Sequence, residues 1–490
     1  MNEFNGNIFS RKNQDLMRIF EDAGRAEKVM CVPLDYAKEW HTALFCDGTG
    51  KILKEAFDVR NSPEGLEYLL GRAKRTVRAR GIKPRHVFFG GEDCGTYSLN
   101  FIHGMQNHGF PVFGVHAADA KKQRENMQAS TDKLALLGIA RLLLNRQGHL
   151  IESHPSREDS LRIVSRQRHA KVKMRTGISN RIHALADQLF PGFLDESKSG
   201  MPSLSPASLY LMEDRFSPRQ IRRRRDSSLA KRLRDLGLRK ADERAAMLKQ
   251  YAGTVLPGAD GLTEALQSSL SAEVAVYRGI HDSIRKIERE IALLLAETPG
   301  AFLTSIPGIG ITLSSEFAGE VGPVEKQNSV RRLSSYTGIV PPTFQTGGPD
   351  KPPVSGSVSK RCNHRLKDVV LRSSLSISLA GPPELKEDFS RREAGGQNAL
   401  FGMGRRYLRL AMAIMRNCEC YIPADLRETR DRDDLRIYYL RMWPKLIQTW
   451  KGSGALHVAF DPANLLGQWR ECIQAMYDIK LPLPNKIKRG

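Results

Sequence analysis

Three short runs of alternating apolar and polar residues stand close together between residues 28 and 59, and they constrain the fold more than any other feature of the chain. Only a few residues separate them, and the second link is the turn sequence DGTG at 47–50. A period of two residues is typical of β-strands, and links this short favour antiparallel pairing of the strands that they join. The sequence therefore predicts a three-stranded antiparallel sheet over 28–35, 39–46 and 51–59.

Helices and buried strands then alternate up to about residue 146. Ser62 is placed to cap a helix that has proline at its first position and extends to Arg80. The apolar run RHVFFGG at 85–91 fits a buried parallel strand, and a helix, a strand over 110–115 and a long helix from about 120 follow. Antiparallel strands followed by alternating helices and strands predict an α/β domain with the element order of a ribonuclease-H-like fold.

Three acidic residues fall at the ends of these elements. Asp35 ends the first strand, Glu92 follows the fourth, and Asp132 opens or lies on the helix after the fifth. In the predicted sheet the first and fourth strands are parallel neighbours, which would place Asp35 beside Glu92. Converging carboxylates bind Mg²⁺ ions that stabilise the oxygens of a phosphodiester under attack. The alternative is structural, because an aspartate after a strand is more often a turn or capping residue.

The positive charge of the chain is large and clustered. Its 490 residues include 76 Lys and Arg against 54 Asp and Glu, a formal charge of +22. Eight of these cations lie between Arg157 and Arg181, and ten lie between Arg219 and Lys240. The second group contains Arg222, Arg223, Arg224 and Arg225. Two consecutive basic helical segments indicate a nucleic-acid partner, and the alternative is a basic face that is only solvated.

Cysteine spacing and hydropathy predict the compartment. The seven cysteines show no C-x-x-C spacing, which indicates reduced thiols and no zinc site. The first twenty residues lack the apolar segment of a secretion signal, and no apolar run is long enough to cross a bilayer. The sequence thus predicts a cytoplasmic, nucleoid-associated protein without a membrane partner.

Apolar residues repeat at steps of three and four between Tyr277 and Leu294. This spacing predicts a short coiled-coil seam. The seam would join two copies of the chain, giving a homo-oligomer, or would pack two helices of one chain. The sequence supports both interpretations equally.

The segment SIPGIG at 305–310 predicts a helix, a tight turn and a second helix. Gly308 and Gly310 would let a phosphate approach the backbone, and the start of the next helix would offer free N–H groups. This pattern is typical of a helix-hairpin-helix-like element that contacts DNA without reading its sequence. The alternative is a plain connection between two helices.

A loop rich in Pro, Gly and Ser follows from residue 341. It combines hydroxyls with cations, at Thr343, Thr346, Ser355, Ser357, Ser359, Lys351, Lys360 and Arg361. A hydroxyl can attack a phosphodiester where neighbouring cations stabilise the developing charge. Residue types alone do not select the nucleophile in this loop.

These features predict five regions along the chain. They are an N-terminal extension (1–27), the ribonuclease-H-like domain (28–150), a basic helical and coiled-coil region (151–300), a mainly α-helical domain with the helix-hairpin-helix-like element (301–382) and a basic helical tail (383–490).

Six motifs in order resemble the insertion-sequence 110 family of transposases and the related Piv-type DNA invertases. They are LDYAK, GGEDCGTY, STDKLA, NRIHALADQLFPGF, SIPGIGITLSSEFAGEVG, and SSYTGIVPPTFQTGG with its continuation SVSKRCNHRLKDVVLRSSL. The resemblance implies a DNA recombinase whose ribonuclease-H-like domain, named DEDD for its four acidic residues, binds Mg²⁺ through Asp35, Glu92 and Asp132. It also implies a C-terminal domain whose serine attacks DNA covalently, and a structured guide (bridge) RNA as a second partner.

Two positions depart from the family pattern. Ala135 stands where the T-D-x-x-D motif has its second aspartate, and Asp119 and Asp93 are candidates to replace it, although spacing establishes neither. Thr346 in QTGG stands where the family has serine. Threonine keeps the hydroxyl but adds a methyl group that crowds an attack.

Three functions therefore follow from the sequence. The first is an active transposase or site-specific recombinase with Thr346 as nucleophile, ahead of Ser355 and Ser357. The second is a non-catalytic nucleic-acid-binding descendant, which Ala135 and Thr346 favour. The third is a nuclease or junction resolvase, which needs the carboxylates but no hydroxyl.

Overall fold

The computed structural model divides into two compact units, residues 1–155 and 156–490. The structure describes residues 12–92, 97–124, 132–152, 156–213, 216–256, 258–327, 329–340, 343–344, 354–356, 362–395, 398–429, 431–482 and 484.

The N-terminal unit is a six-stranded sheet with helices. Its strands are β1 (Met30–Asp35), β2 (Trp40–Asp47), β3 (Ile52–Arg60), β4 (Val87–Glu92), β5 (Val112–Val115) and β6 (His149–Leu150), in the order β3-β2-β1-β4-β5-β6. Its helices are α1 (Gln14–Ala23), α2 (Pro63–Arg80), α3 (Leu99–Asn107), α4 (Ala117–Arg124) and α5 (Asp132–Leu144).

The strand pairing confirms the predicted core of this unit. The first three strands pair antiparallel, β1 pairs parallel with β4, and β4 pairs parallel with β5. Ser62 caps α2 as predicted, since its hydroxyl accepts a hydrogen bond from the Gly65 N–H. Along the predicted long helix the structure describes α4 and α5. Helix α1 and strand β6 were not predicted.

The sheet is the middle layer of three. Met30, Val32 and Leu34 of β1 enter the core under α2 and α3, whereas Cys31 enters the core under α1 and α5. This alternation follows from the two-residue period of a strand. Because β1 is buried on both faces, only its end, at Asp35, approaches the edge of the layer.

The C-terminal unit is mainly α-helical. Its helices are α6 (Arg157–Leu189), α7 (Glu196–Ser199), α8 (Pro206–Glu213), α9 (Pro218–Arg223), α10 (Asp226–Asp235), α11 (Ala241–Thr254), α12 (Asp260–Ala296), α13 (Ile311–Val321), α14 (Val330–Tyr336), α15 (His364–Ala380), α16 (Pro383–Ala394), α17 (Ala399–Asn417), α18 (Ala424–Thr429), α19 (Arg432–Lys451), α20 (Leu456–Ala459) and α21 (Leu465–Tyr477). Strands β7 (Thr343–Phe344) and β8 (Val354–Ser355) pair antiparallel.

The two longest helices, α6 and α12, pack antiparallel. Their ion pairs, from one end to the other, are Arg157–Glu297, Arg168–Glu288 and Arg181–Glu273. The predicted seam lies in this unit, with Ile280, Ile284, Ile287 and Ile291 buried. The seam thus packs within the chain, and a homo-oligomer stays a prediction.

The tail beyond residue 383 packs into the same hydrophobic core as the segment before it. Phe302 and Leu303 share this core with Trp443 and Trp450 of α19. The indole N–H of Trp450 also donates a hydrogen bond to the Thr304 hydroxyl at 3.1 Å. Residues on both sides of 383 therefore depend on each other for burial.

A buried carboxylate on α16 holds part of this unit together. Asp388 is 3% exposed and forms ion pairs with Arg391, Arg392 and Arg406. Burial alone would raise the pKa of Asp388, but the hydrogen bonds from the three arginines outweigh it and lower the pKa to about 2. Because the folded pKa lies below the unfolded value of about 3.9, this stabilisation is complete above about pH 4 and is lost as the pH falls toward 2.

We expect Asp388→Asn to lower the free energy of unfolding at pH 7 by roughly 2 to 4 kcal/mol, because it removes the buried charge that pairs with three arginines and leaves half-buried Arg392 and Arg406 without their counter-charge. Urea denaturation measures the change. Exposed Glu387→Gln removes the same charge from the same helix and should change stability by less than about 0.5 kcal/mol. Equal effects of the two substitutions would contradict the role of Asp388.

Candidate active site and nucleic-acid interface

Asp35 and Glu92 lie at the carboxyl ends of two neighbouring parallel strands. In the register of β1 and β4, Leu34 is opposite Gly91, so Asp35 and Glu92 are the next residues on each strand. Hydrogen-bonded strands are about 4.8 Å apart. Both residues are half-buried. The fold thus places two carboxylates side by side at one edge of the sheet.

The two carboxylates also share a face. Cys31 of β1 and Phe88 of β4 enter the core under α1 and α5, and Asp35 and Glu92 each follow four residues later. Because side chains alternate along a strand, residues an even number of positions apart lie on the same face. Asp35 and Glu92 therefore lie on the α5 side of the sheet.

Helix α5 runs back along β1 and begins toward the same edge. The side chain of Leu144, at the end of α5, lies beside Gly50, 3.8 Å from the position that a Cβ atom would take there. Gly50 belongs to the turn after Asp47, and Asp47 pairs with Met30 at the opposite end of β1. A helix of 13 residues and a strand of six are both about 20 Å long, so α5 begins, at Asp132, near the other end of β1. The Asp132 side chain lies outside the described residues.

The oxygen donors at this edge fit a hard divalent cation such as Mg²⁺. Asp35 and Glu92 supply two carboxylates, and Asp132 is the third candidate. Among the described side chains, which exclude Asp132 and Asp93, no three acidic, His or Cys residues are placed so that they could hold a metal ion. A complete set of metal ligands is therefore not assembled from described side chains alone.

The position of the missing fourth carboxylate is apolar. Ala135 is only 5% exposed and lies in the first turn of α5, which packs against β1 and β4. Asp119 is exposed in the first turn of α4, directly after β5. Since Val115 of β5 pairs with Glu92, α4 starts near the edge that carries the carboxylates. Of the two candidates for the missing ligand, Asp119 is therefore the one that the structure describes, and it lies near this edge.

The loop with the candidate nucleophile is described only in part. Thr346 lies in the connection between β7 and β8, outside the described residues, as do Lys351, Ser357, Ser359, Lys360 and Arg361. The base of the loop is described. The Asn363 N–H donates to the Tyr336 carbonyl at 2.8 Å, and the Asn363 amide donates to the Tyr336 hydroxyl at 3.1 Å. These bonds hold the two ends of the loop together.

The turn at Gly308 and Gly310 joins two helical segments, and its role as a helix-hairpin-helix-like element stays a prediction. A 3₁₀ helix (Pro299–Ser305) precedes it, and α13 follows with Gly310 at its N-cap. Gly308 has φ +88°, and a Cβ there would lie 2.9 Å from the Ser376 carbonyl oxygen. Arg441 and Lys445 of α19 line a cavity of about 490 Å³ beside this turn. The tail therefore adds two cations to the glycine turn.

Four arginines surround a second cavity, of about 500 Å³, which we call the arginine cavity. It is lined by Arg223, Arg224, Arg225 and Arg232 together with Tyr210, Gln220, Ser228 and Leu229. The Arg232 guanidinium lies 4.5 Å from the centre of the Tyr210 ring. Arg222, Arg223 and Arg225 are exposed. No acidic residue is among these described lining residues, so the cavity is suited to a polyanion.

The first basic segment plays a partly structural role instead. Arg168 and Arg181 of α6 form ion pairs with Glu288 and Glu273 of α12. Their charge is therefore partly neutralised within the helix pair. These ion pairs give the two arginines a structural role, and the contact of this segment with nucleic acid stays a prediction.

A third cavity, of about 430 Å³, lies between α6, α13 and α15, and we call it the three-helix cavity. Each helix contributes polar residues at steps of four, namely Ser165, His169 and Lys173, then Glu316 and Glu320, then His364, Asp368 and Arg372. Residues four apart share one helix face. Arg166 and Arg365 complete the lining. Sequence analysis missed this site, because the spacing is visible in each helix but their convergence depends on the fold.

Glu320 anchors the three-helix cavity to the loop base. Arg166 donates two hydrogen bonds to the Glu320 carboxylate, at 2.7 and 2.9 Å, and the Asn363 amide donates a third at 2.9 Å. Burial alone would raise the pKa of Glu320, but the bonds from Arg166 and Asn363 outweigh it and hold the pKa below its ordinary value. Glu320 is thus ionised at neutral pH and fixed in position.

Comparison with known families identifies the kind of protein. A family model described as "Transposase" matches residues 32–191, and one described as "Transposase IS116/IS110/IS902 family" matches residues 300–390. The chain belongs to the insertion-sequence 110 family of transposases. It is accordingly a DNA transposase, and DNA is its partner. The sheet edge with Asp35 and Glu92, which we call the carboxylate edge, lies in the first matched segment. The turn at Gly308 and Gly310 and the loop that contains Thr346 lie in the second.

Two curated relatives support this assignment. The insertion element IS116 uncharacterized 44.8 kDa protein of Streptomyces clavuligerus is 23% identical over 404 residues, which cover 80% of this chain and 96% of the relative. The insertion element IS110 uncharacterized 43.6 kDa protein of Streptomyces coelicolor is 28% identical over 258 residues, covering 50% of this chain and 60% of the relative.

Among the described helices, none is long and apolar enough to span a bilayer.

We expect the triple substitution of Arg222, Arg223 and Arg225 by Gln to reduce the salt dependence of DNA or RNA binding. Each lost phosphate contact lowers the slope of log K against log salt by about 0.7 to 0.9, so the slope should fall by roughly 2 to 3. Fluorescence anisotropy with a labelled duplex at several salt concentrations measures the slope.

A matched control removes the same charge from α12. Arg285, Lys286 and Arg289 are exposed cations outside the arginine cavity. Their replacement by Gln should lower the slope by less than about 1. If both triple variants lowered the slope equally, the positive charge would act through the overall electrostatic potential of the protein. That result would contradict a local binding site at the arginine cavity.

Proposed function

We propose that this transposase exchanges DNA strands with Mg²⁺-binding carboxylates on a ribonuclease-H-like domain and a hydroxyl nucleophile in the C-terminal unit. The observation that carries the proposal is the parallel pairing of β1 and β4, which makes Asp35 and Glu92 neighbours on the face of α5. This arrangement supports a shared role for the two carboxylates, because a turn residue would need no such partner.

Asp35, Glu92 and Asp132 would hold the metal ion, with Asp119 as a further candidate ligand. Mg²⁺ bound there would supply positive charge to the oxygens of the phosphodiester. The carboxylates of the chain orient that charge at the end of the sheet. Their placement on strand ends and at a helix start gives a rigid frame, as a catalytic site requires.

Thr346 would supply the nucleophile. Its hydroxyl oxygen forms a bond to the phosphorus, the bond from phosphorus to one sugar oxygen breaks, and that oxygen leaves as a hydroxyl after taking a proton. The covalent phosphothreonine ester keeps the energy of the phosphodiester, so a hydroxyl from a second strand can reverse the step and join the new partner. Ser355 and Ser357 are the other hydroxyl candidates.

The arginine cavity and the cavity beside the glycine turn, together called the basic cavities, would hold the nucleic acids. Gly310, where a Cβ would meet no described atom within 4 Å, would offer the DNA backbone a close approach, whereas Gly308 packs against Ser376 of α15. Lys360 and Arg361 follow the nucleophile along the same loop. The arginine cavity lies outside both matched family segments and suits a structured guide RNA. A homo-oligomer would bring together the two DNA partners.

The alternative is a descendant that binds nucleic acid without catalysis. The buried Ala135 favours it, since a carboxylate is missing from the position where the family pattern has one. The basic cavities would function unchanged in such a protein. Its binding would respond to salt but would not depend on Mg²⁺.

Purified protein and a supercoiled plasmid with the native DNA that flanks the gene test these functions. With Mg²⁺ we expect joined or exchanged products, and EDTA should abolish them. Salt-sensitive binding without any strand product would favour the non-catalytic descendant. Mg²⁺-dependent cleavage that Thr346→Ala leaves unchanged would favour a nuclease.

A further inference from the structure

The three-helix cavity contains carboxylates that already have partners. Glu320 accepts hydrogen bonds from Arg166 and Asn363. Glu316 is paired with Arg372, whose guanidinium also bonds Asp368 at 2.9 Å. These contacts raise the pKa of Arg372 above its ordinary value, although burial alone would lower it. One wall of the cavity is therefore a network of ion pairs. Within the described residues, the buried Glu316 Oε1 atom in this network accepts no hydrogen bond, and it lies 3.8 Å from an Arg168 guanidinium nitrogen.

Four of the other described groups that line the cavity are cationic or polar and lack such partners. Within the described residues, the side chains of Lys173, Arg365 and His169 make no hydrogen bond or ion pair. The Ser165 hydroxyl is buried, with the residue 4% exposed, and also lacks a hydrogen-bond partner. A buried hydroxyl without a partner is costly, so a polar ligand that reaches it would recover free energy.

The available donors fit an anion with several oxygens. Lys173 and Arg365 bring positive charge from α6 and α15, and Ser165 and His169 add further donors from α6. The side-chain amide oxygen of Asn363 already accepts hydrogen bonds from the backbone N–H groups of Arg365 and Leu366, so side chains rather than the helix N-terminus would bind the ligand. A phosphate group satisfies charged donors of this kind.

The position of the cavity indicates which phosphate it would bind. Asn363 closes the base of the loop with Tyr336 and also bonds Glu320 in the cavity wall. The loop that begins and ends there carries Thr346. A strand whose backbone enters the three-helix cavity therefore passes the base of the loop that holds the candidate nucleophile.

We propose that the three-helix cavity binds a backbone phosphate of the DNA strand undergoing exchange, with Lys173 and Arg365 as positioning residues. This proposal rests on the proposed function only in one respect, namely that the bound strand is the one undergoing exchange. The cavity's affinity for a phosphodiester is independent of Thr346. Bound in this way, the strand is held in place next to the loop before any bond breaks.

Lysine acetylation followed by mass spectrometry locates the ligand on the full-length protein. A duplex DNA with the native flanking sequence is the probe, and Lys171 on another face of α6 is the internal control. We expect DNA to slow acetylation of Lys173 at least about fivefold more than that of Lys171. A duplex RNA of the same sequence is the second arm. Equal rates for both lysines, or protection by RNA alone, would overturn the proposal.

Charge-removing variants provide an independent readout. Lys173→Gln combined with Arg365→Gln should lower the salt slope of DNA binding by about 2, one unit for each lost phosphate contact. Lys171→Gln combined with Arg175→Gln removes the same charge outside the cavity and should lower it by less than about half as much. Equal slopes for the two double variants would show that the cavity is no local site.

Ser165→Ala tests the buried hydroxyl with little risk to the fold. We expect a several-fold weaker DNA affinity with unchanged thermal stability, because the hydroxyl has no partner in the protein. Unchanged affinity would contradict its role as a donor to the phosphate. These tests measure DNA binding and not strand exchange. Their results therefore test the cavity even if the protein exchanges no strands.

Discussion

Asp35→Asn is expected to abolish DNA strand exchange, by roughly 100-fold or more, because it removes a negative charge from the ligands of the metal ion. The amide has the same shape, so the fold should be retained. The measurement is the yield of exchanged products from the flanking-DNA plasmid, together with DNA affinity. Exchange should be lost while DNA affinity changes little, because the basic cavities are untouched.

Glu55→Gln is the matched control for this substitution. Glu55 is an exposed acidic residue on β3, away from the end of β1. Its replacement should leave exchange unchanged. Asp119→Asn extends the test to the missing ligand, and a loss like that of Asp35→Asn would assign Asp119 to the metal site. Undiminished exchange by Asp35→Asn would disprove the carboxylate edge as the catalytic centre.

Thr346→Ala is expected to remove exchange by at least about 1,000-fold, as for a lost nucleophile. Thr346→Ser restores the hydroxyl without the methyl group and should exchange strands as well as the unaltered protein or better. The sensitive readout is a protein–DNA adduct that survives denaturation. It should form with Thr346 and with Ser at this position, and should be absent with Ala.

An adduct that persists in Thr346→Ala would move the nucleophile to another residue. Ser355→Ala and Ser357→Ala then identify which of the two other hydroxyls is used. If all three alanine variants still cleave DNA in a Mg²⁺-dependent manner without forming an adduct, water is the nucleophile. That result would favour a nuclease over a transposase with a covalent intermediate.

Much of the N-terminal unit could be predicted from the sequence because its signals are local. The alternation in residues 28–59, the Ser62 cap and the apolar run at 85–91 each report on a few neighbouring residues. The pairing of β1 with β4 then followed from the order of elements. Helix α1 was overlooked although its signal is local, since Leu16, Ile19, Phe20 and Ala23 repeat at steps of three and four after the capping residue Asn13.

The cavities of the C-terminal unit could not be predicted in this way. The glycine turn was visible in SIPGIG, but Arg441 and Lys445 come from a helix more than 130 residues away in sequence. Similarly, the partners of Arg168 and Arg181 lie on α12, so a run that reads as a nucleic-acid surface is partly an internal helix contact. Such pairings depend on tertiary packing, which composition does not record.

The most direct test of DNA strand exchange is made in cells that carry the gene with its native flanking DNA. Outward-facing PCR detects the junction of an excised circle. We predict junctions from the unaltered protein, and none from Asp35→Asn or Thr346→Ala at equal protein levels. If the unaltered protein yields no junction in a host where a related element does, the account of an active strand-exchange site is contradicted and nucleic-acid binding is the activity left.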